Sequence, residues 1–398
     1  MSNVRYSRMR MSTLFIISLF VLVFAAACGG SAPPSVGSVA TSASATQATG
    51  ATAGTAAGGA AAVAVQATSQ PTGVPEITCA ANQKVLVWMV RNGDVENKWE
   101  TNVVRPAFQK AHPEICLKIL SINQDDVAVK RETMIASGEP LHVFSSNWGG
   151  NGFTGDRVRG VIEDLSPFIQ RDKFDLSVFL PDALKTYQFQ GKTWGLPLLA
   201  TGSYIYYNMK LFDEAKVPYP PVDWNDQSWT WEKFIDTAKK LSKNTGNMNN
   251  AQYGAGVQVV NGNIEFPPML WGHDIYPPDA FQKAVPGNVV LTDDKSVKAY
   301  QAFHDAIYVD KVAPDPATTQ ALAQLGGAFA SGRVAMQMDG GWGHWVYSPL
   351  INDPNGFCWG AAPFPWGAPD AKMRSMTFTD PWVMRSRMKP EDQDLAWT

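Results

Sequence analysis

Polar and aromatic side chains follow two of the apolar segments that the sequence predicts to be buried strands. Asn92 and Asp94 come directly after the apolar run Lys84–Val90, and Asn147 and Trp148 come after a third predicted strand. Ligands of open parallel sheets bind at the carboxyl ends of the strands. An indole beside glycines offers a flat face to a sugar ring, while carboxylates and amides bind hydroxyls. The pattern predicts sugar recognition, although Asn-Gly-Asp also favours a tight turn and a tryptophan also suits a core.

The sequence carries no signature of an enzyme. It lacks GxSxG, HExxH and phosphate-loop patterns, and no spacing pairs two carboxylates as a glycosidase requires. The cysteines and five histidines lack metal-ligand spacing. We therefore expect no catalysis, no metal and no cofactor, with a secreted glycosidase as the enzymatic alternative.

The charge balance restricts the possible partners. The net charge is −3, and no basic run occurs outside the first ten residues, so we expect no nucleic acid partner. The candidate site contains acids and amides without an arginine cluster. Phosphate, sulfate and dicarboxylate ligands favour bidentate guanidinium groups, so the sequence predicts a neutral ligand.

Alternating strand and helix patterns begin at Lys84. Strand, helix, strand, helix and strand follow one another up to about 145, which is typical of a parallel α/β sheet. Pro106 should interrupt the helix predicted over 96–111. The part from about 77 to 398 is long enough for two lobes with separate cores. We predict two α/β halves joined near 197–203.

The N-terminus has the organisation of a secretory signal. Three arginines precede the uncharged run Met11–Phe24, and three alanines lead into Cys28. The run is shorter than the ~20 residues of a spanning helix. Alanines followed by cysteine resemble a bacterial lipobox, which implies a signal peptide over 1–27 and a lipidated Cys28 as mature N-terminus. A signal peptide cut near Ala27, with an incidental cysteine, is the alternative.

The segment 28–76 is predicted to be a tether. Between Gly29 and Pro75 it contains only Ala, Thr, Ser, Gly, Gln, Val and Pro. Such a composition cannot bury enough apolar surface to fold, so a flexible linker with a reach of ~40 Å is expected. We expect the protein outside the cytoplasm, lipid-anchored to the outer face of the cell membrane.

Two cysteines lie near the starts of the first two predicted strands. Cys79 precedes the first strand and Cys116 opens the second. Neighbouring parallel strands would place them at the same end of the sheet, in a compartment that permits disulfides. A Cys79–Cys116 bridge and two unbridged thiols both remain open at this stage.

Seven segments in order resemble the extracellular solute-binding proteins of ABC sugar importers, of the maltose-binding-protein type. They are Phe108–Ile115, Met134–Gly138, Gly160–Pro167, Lys192–Pro197 with Tyr206–Asn208, Trp229–Phe234, Phe329–Met336 with Gly341-Trp342, and Ala362–Pro365. Each motif alone is short, but together they extend over about 80 to 385. The sequence is thus identified as a member of this family.

The resemblance implies the type II periplasmic-binding-protein fold, with a ligand cleft between two lobes. We expect lobe 1 to comprise 77–199 plus about 355–398, and lobe 2 to comprise 200–354. The implied partners are a mono- or oligosaccharide, an ABC permease, and the membrane through a lipid anchor only; we expect a monomer. A receptor of the same fold for a polyamine, iron or a peptide is the alternative.

The resemblance also suggests site residues in the second half. The family's stacking aromatic matches Trp342, beside Asp339, and many sugar binders place another aromatic near Trp271. The remaining candidates flank the hinge or the cleft, namely Thr201, Tyr204, Trp345, Asp380 and Trp382.

The sequence departs from the family pattern in three places. His142 replaces a usual acid, and Asp380-Pro381-Trp382 replaces a turn of small residues. Family members continue past the position of Thr398, so we expect part of the C-terminal region, with any site residues in it, to be missing.

Overall fold

The computed structural model describes residues 73–147, 152–257, 263–277, 280, 288–372 and 375–398. All of these residues belong to the compact unit 64–398. The predicted signal peptide, most of the predicted tether, Cys28 and Trp148 lie outside the described residues.

The first lobe alternates strands and helices along most of its length. Its first elements are β1 (Lys84–Arg91), α1 (Asp94–Trp99), a π-helical segment (Glu100–Val104), α2 (Arg105–Ala111), β2 (Ile115–Ile122), α3 (Val127–Ser137) and β3 (Val143–Phe144). They are followed by α4 (Gly152–Val158), α5 (Ser166–Asp172), a 3₁₀ turn (Leu176–Val178), α6 (Pro181–Thr186), β4 (Gln188–Phe189), β5 (Lys192–Thr193) and β6 (Leu196–Thr201). The predicted alternation in this part of the chain is therefore present.

The second lobe is built around three strands and a larger set of helices. Its elements are β7 (Ser203–Asn208), α7 (Met209–Ala215), α8 (Trp231–Leu241), α9 (Phe266–Leu270), α10 (Asp294–Tyr308), α11 (Pro316–Ala323), β8 (Met336–Gly340), α12 (Gly343–Tyr347), α13 (Pro349–Asn352) and β9 (Trp359–Ala362). The chain then returns to the first lobe as β10 (Phe378–Met384) and α14 (Pro390–Trp397).

A five-stranded mixed sheet forms the centre of the first lobe, in the order β2-β1-β3-β10-β6. β1 and β2 run parallel, with Lys84 opposite Ile115 and Arg91 opposite Ile122. β10 runs antiparallel to both β3 and β6. β10 follows the second lobe in the sequence, so the sheet of the first lobe contains strands from both before and after that lobe.

The first two strands carry a disulfide at their shared end. Cys79 and Cys116 are bridged, and their Cα atoms lie 5.6 Å apart. The parallel register explains this proximity, since Cys116 lies opposite Val85 at the start of β1. The bridge closes a separation of 37 residues that contains α1, α2 and the π-helical segment.

The second lobe has its own sheet and core. The strand order is β8-β7-β9, and β7 is antiparallel to both neighbours. The face of β7 that carries Ile205 and Tyr207 packs on a large core with Phe234 and Phe266. The face that carries Tyr206 packs on a smaller aromatic cluster around Phe329 and Tyr347, and Tyr204 packs against it.

The lobe boundary differs from the one expected from the sequence. β9 pairs with β7, with Tyr207 opposite Gly360, so residues near 360 belong to the second lobe. Phe364 is fully buried in that lobe's core. The return to the first lobe therefore occurs between Ser375 and Phe378 and not near 355, because strand pairing and core burial hold the intervening chain in lobe 2.

Local sequence signals explain several helix ends. Gly138 ends α3 with a φ of 78°, a left-handed conformation that glycine adopts readily. Thr230 caps α8 by accepting a hydrogen bond from the Lys233 amide. The predicted interruption at Pro106 is seen as a change of helix type, because α2 begins at Arg105 after the π-helical segment.

A buried carboxyl lies in the π-helical segment. Glu100 is 4% exposed, and its Oε2 atom has no hydrogen-bond partner. The pKa of Glu100 is raised to about 8, mainly by burial and also by the neighbouring Glu96, while Arg105 and Arg91 partly oppose the increase. Since the folded state holds a proton there that the unfolded chain would release, this group destabilises the fold as the pH rises.

Two further structural findings concern the described residues only. Within them, no helix is long and apolar enough to cross a membrane. No group of three or more His, Cys, Asp or Glu side chains in this part of the chain could hold a metal ion.

Replacing both cysteines by alanine, as Cys79→Ala with Cys116→Ala, should lower the free energy of unfolding by about 4 kcal/mol. The reason is the chain entropy that the unfolded state regains when a loop of this length is opened. Guanidinium denaturation of the two proteins measures the difference. Equal stability of the variant and the wild type would contradict a contribution from the bridge.

Replacing the buried acid, as Glu100→Gln, should make stability less dependent on pH. Between pH 5 and pH 9 the wild type should lose about 1.4 kcal/mol or more relative to the variant, which corresponds to one pKa unit. Urea denaturation across this range tests the difference. The exposed Glu214→Gln is the matched control, and identical pH profiles for Glu100→Gln and wild type would exclude a buried proton.

Candidate functional site

The chain passes between the lobes at two described positions that lie side by side. One crossing is Gly202, between β6 and β7, and the other is the segment from Ser375 to Phe378. Ser375 Oγ accepts a hydrogen bond from the Ser203 amide at 2.7 Å and donates one to the Ser203 carbonyl at 2.7 Å. Ser203 Oγ donates to the Met376 carbonyl at 3.1 Å. The two crossings are therefore tied together by side-chain hydroxyls.

A glycine brings the end of β8 against this pair of crossings. The Gly341 amide donates to the Gly202 carbonyl at 2.7 Å. A Cβ atom at Gly341 would lie 1.7 Å from Thr201 Oγ1, so only glycine allows this approach. The contact places the segment Asp339–Trp342 directly beside Thr201.

Asp339 supports the aromatic residue that follows it. Its Oδ1 accepts from the Gly340 amide at 2.8 Å and its Oδ2 accepts from the Tyr347 hydroxyl at 2.7 Å. The Trp342 ring packs over Gly340, whose amide is bonded to this carboxyl. Burial raises the pKa of Asp339, and these hydrogen bonds oppose the increase. The carboxyl is therefore held in place by its neighbours, and it fixes the Gly340 amide on which the Trp342 ring packs.

Trp342 is half-buried at the start of α12. Its ring contacts Phe378, which ends the second crossing, and Gly340, which ends β8. Its ring meets Phe378, at the start of β10, with centroids 4.7 Å apart and planes at 72°. It also packs over Gly340, where a Cβ atom would lie 2.2 Å from the indole. Trp345, one turn later in the same helix, is 42% exposed.

The first lobe contributes an amide and a carboxylate to the same region. Asn147 Nδ2 donates to the Thr379 carbonyl at 2.6 Å and approaches Asp380 Oδ1 at 3.3 Å. Tyr187, which is fully buried, donates its hydroxyl proton to the Thr379 carbonyl and lies 3.4 Å from the Asn147 amide. Burial raises the pKa of Tyr187, so its phenol stays protonated.

These contacts bring together residues from both sides of the crossings, which we call the crossing cluster. Its members are Asn147, Tyr187, Thr201, Tyr204, Asp339, Trp342 and Asp380. Tyr204 belongs to it because it lies opposite Asp339 in the β7–β8 pair. Six of the seven were candidates from the sequence. Tyr187 was missed, because no motif or spacing marks a tyrosine before the short β4–β5 hairpin.

Two tryptophan candidates are placed in the cores instead. Trp271 is 6% exposed and packs against Trp231 at 5.3 Å inside the second lobe. Trp382 packs against the core of the first lobe, with its ring 4.7 Å from Trp88, where both line an apolar cavity of about 690 Å³. Neither tryptophan belongs to the crossing cluster, because each side chain packs against the core of its own lobe.

The candidates after β1 form a separate polar network. Asn92 donates to Asn123 at 2.8 Å and accepts from Asn97 at 2.7 Å, and Ser121 lies 3.3 Å away. Asp94 is exposed at the start of α1. The Asn92 amide therefore joins the end of β1 to β2 and α1.

Two aromatic neighbours of Tyr204 were not predicted. Trp224 meets the Tyr204 ring edge-on at 6.2 Å, and His344 lies 5.5 Å from the same ring. Burial lowers the pKa of His344, which favours the neutral imidazole. Trp224 lies in a loop rich in Pro, Asp and Asn. Hydrophobic periodicity predicts the direction of side chains only in helices and strands, so it could not predict where this indole points.

Comparison with known proteins identifies the family. A model described as bacterial extracellular solute-binding protein matches residues 93–386. A binding protein of Brucella abortus (strain 2308) is 25% identical over 301 residues, which cover 74% of this chain and 66% of that protein. The match thus spans slightly less than two thirds of this relative. The arabinooligosaccharide-binding protein of Halalkalibacterium halodurans is 24% identical over 135 residues, 34% of this chain and 26% of that protein.

Solved structures show the same fold. An ABC substrate-binding protein from Listeria monocytogenes, in complex with cycloalternan, has a TM-score of 0.64 at 21% identity, covering 79% of this chain and 74% of that one. A maltose-bound protein of T. maritima has a TM-score of 0.58 at 21% identity, covering 79% and 75%. The predicted fold class and family are confirmed: this chain belongs to the bacterial extracellular solute-binding proteins and has their two-lobed α/β fold.

Proposed function

We propose that the chain captures a neutral carbohydrate between its lobes and delivers it to the permease of an ABC importer. The observation that carries the proposal is the crossing cluster. It combines one half-exposed indole, two carboxylates and an amide where the chain passes between the lobes. A sugar requires this combination, because its C–H face packs on an aromatic ring while its hydroxyls need polar partners.

The charges in the cluster support a neutral ligand. Its polar members are acids, an amide and hydroxyls, and none of the seven is Arg or Lys. An anionic ligand would be buried against the carboxylates of the cluster, which is costly. Hydroxyl groups can donate to the same carboxylates at no such cost.

The arrangement of Asp339 supports binding without catalysis. A glycosidase requires two carboxyl groups that face the bond to be cleaved. Here both oxygens of Asp339 already accept hydrogen bonds from the Gly340 amide and the Tyr347 hydroxyl. These bonds fix the carboxyl within its own lobe, and its remaining lone pairs can accept from a sugar hydroxyl.

Relatives support the same ligand class. One relative is an arabinooligosaccharide-binding protein and another is a lactose-binding protein. Structural neighbours contain cycloalternan, maltose or acarbose. We extend this ligand class to the present chain as part of the proposal.

Anchoring completes the proposed mechanism. A lipidated Cys28 and a tether of Ala, Thr, Ser and Gly would keep the receptor near the permease while allowing it to rotate. The support for this step is the sequence pattern described above. Lobe closure on the sugar would then present one surface, made by both lobes, to the permease.

Replacing the central indole, as Trp342→Ala, should weaken sugar binding at least tenfold, about 1.4 kcal/mol, through loss of the stacking face. Calorimetry and intrinsic fluorescence with a panel of mono- and oligosaccharides give the dissociation constants. Trp99→Ala is the matched control, because Trp99 is 46% exposed on α1 and lies outside the cluster. A folded wild type that binds no member of a broad panel would refute the proposal.

Replacing the supporting acid, as Asp339→Asn, should weaken sugar binding by loosening Trp342 without unfolding the lobe. The amide nitrogen cannot accept from the Tyr347 hydroxyl or from the Gly340 amide, on which Trp342 packs, and an unpaired buried donor costs about 1–3 kcal/mol. Near-UV circular dichroism should show a less ordered tryptophan. Tyr347→Phe, which removes one of these bonds, should have a smaller effect; unchanged binding and spectra in both variants would contradict the supporting role.

A further inference from the structure

A second cavity, of about 700 Å³, lies on the first lobe. His142, one of the residues that line it, directly precedes β3, whereas Asn147 of the crossing cluster follows the end of that strand. The lining contains no member of the crossing cluster. The cavity and the proposed sugar site therefore lie at opposite ends of β3.

Positive side chains dominate the charge of this cavity. Five of its lining residues are Lys or Arg and two are Asp or Glu, in a protein whose net charge is −3. The cations reach it from β2, from α3 and from the segment between β10 and α14; they are Lys118, Lys130, Arg385, Arg387 and Lys389. Charges of one sign around a concave surface focus the electrostatic potential, so this cavity attracts anions.

Neighbouring acids neutralise the positive charge only in part. Lys130 Nζ lies 3.6 Å from Glu139 Oε2. Lys118 Nζ lies 3.9 Å from Oε1 of the exposed Glu76. Arg385 donates to two backbone carbonyls, at 2.8 and 3.3 Å, which position its guanidinium group without cancelling its charge. Solvent-exposed ion pairs contribute little free energy, so these cations can still interact with a bound anion.

Two cations of the cavity are exposed and have no acidic partner. Arg387 and Lys389 form no ion pair within the part of the chain that the structure describes. Asp392, in the first turn of α14, is the acid nearest to them in the sequence. An anion could bind Arg387 and Lys389 without displacing an existing ion pair.

A buried histidine offers a hydrogen-bond donor to the same cavity. His142 is 6% exposed, and its Nδ1 accepts from the Val87 amide at 3.0 Å. Burial lowers the pKa of His142, which favours the neutral ring, and a neutral ring that accepts at Nδ1 carries its proton on Nε2. Nε2 has no hydrogen-bond partner among the described residues. The N–H at Nε2 is therefore available to a molecule in the cavity.

The size and the apolar part of the lining suit an organic anion. Val85 and Val87 of β1, Leu120 of β2 and Met134 of α3 contribute apolar surface. Sites for small molecules have volumes of about 300–1,000 Å³, and this cavity falls within that range. An inorganic ion alone would leave the apolar surface in water.

We propose that this cavity binds the phosphate group of an organic phosphate ester, supplied either by a free small molecule or by a lipid headgroup. A phosphate ester carries a charge of about −1.5 to −2 at pH 7 and has three strong acceptor oxygens. It can therefore contact cations that approach from several elements, whereas a carboxylate has only two oxygens and one charge. The proposal does not rest on the proposed function, because the two sites share no residue.

Calorimetry on the full chain with phenyl phosphate tests the site, and benzoate at the same ionic strength is the carboxylate comparison. Phenyl phosphate should bind at least tenfold more tightly than benzoate. Replacing both unpaired cations, as Arg387→Ala with Lys389→Ala, should weaken phenyl phosphate at least tenfold. Asp392→Asn should strengthen it, because this change removes a negative charge from the cavity.

A matched control separates the cavity from the overall charge of the protein. Lys233→Ala with Lys240→Ala also removes two exposed positive charges, but from α8 in the second lobe, and should change the affinity less than twofold. Near-UV circular dichroism verifies that every variant is folded.

Cosedimentation with vesicles of phosphatidylglycerol or phosphatidylcholine distinguishes the two sources of the phosphate group. All variants keep the same N-terminus, so only the difference between the wild type and the Arg387→Ala, Lys389→Ala protein is informative. Loss of phosphatidylglycerol binding in that protein, without binding of phenyl phosphate to the wild type, supports a lipid headgroup. Binding of phenyl phosphate that depends on Arg387 and Lys389 supports a free phosphate ester.

Two results would overturn the proposal. One is the absence of phenyl phosphate binding together with vesicle binding that is identical in the wild type and the Arg387→Ala, Lys389→Ala protein. The other is equal weakening by the cavity variant and by the α8 control, since the attraction would then come from the net charge alone.

Discussion

The hydrogen bonds between Ser203 and Ser375 hold together the two described passages between the lobes. Strand pairing continues this contact into the first lobe, because Phe378 in β10 lies opposite Thr201 in β6. Once they are joined, β10 can complete the first sheet beside β6, and β7 can begin the second sheet one residue after Gly202. The site depends on this junction, because Gly341 contacts Thr201 and Gly202 at the first passage while the Trp342 ring contacts Phe378 at the second.

Polar groups at the site have two different physical roles. Asp339 accepts bonds from its own lobe and fixes the Gly340 amide on which the Trp342 ring packs. Asn147 and Asp380 instead meet across β3 and β10 of the other lobe. Aromatic rings form the apolar surface between these groups. Under the proposed function, the polar atoms would discriminate hydroxyl positions and the rings would supply apolar contact area.

Much of the organisation could be predicted from sequence, and the exceptions share one cause. The parallel start of the first sheet follows from apolar runs separated by helical patterns, and Thr201, Tyr204, Asp339, Trp342, Asn147 and Asp380 come together in space. Trp271 and Trp382 are packed in the lobes, and the second lobe extends to about 377 because β9 pairs with β7. Trp148 lies outside the described residues, so its role stays a prediction. In each exception, contacts with residues distant in sequence determine whether a side chain is buried or to which lobe a strand belongs.

The sequence by itself determined the elements and the family, because periodicity, caps and ordered motifs are local properties of the chain. It also determined that an indole follows β8 and that acids and amides are present near the crossings. Only the tertiary structure decided which indoles have a free face. Trp231, Trp271 and Trp224 are chemically identical, but covering neighbours bury the first two, and the third is left 42% exposed on a hydrogen-bonded loop beside Tyr204. Exposure is a property of packing between distant segments, and residue type does not encode it.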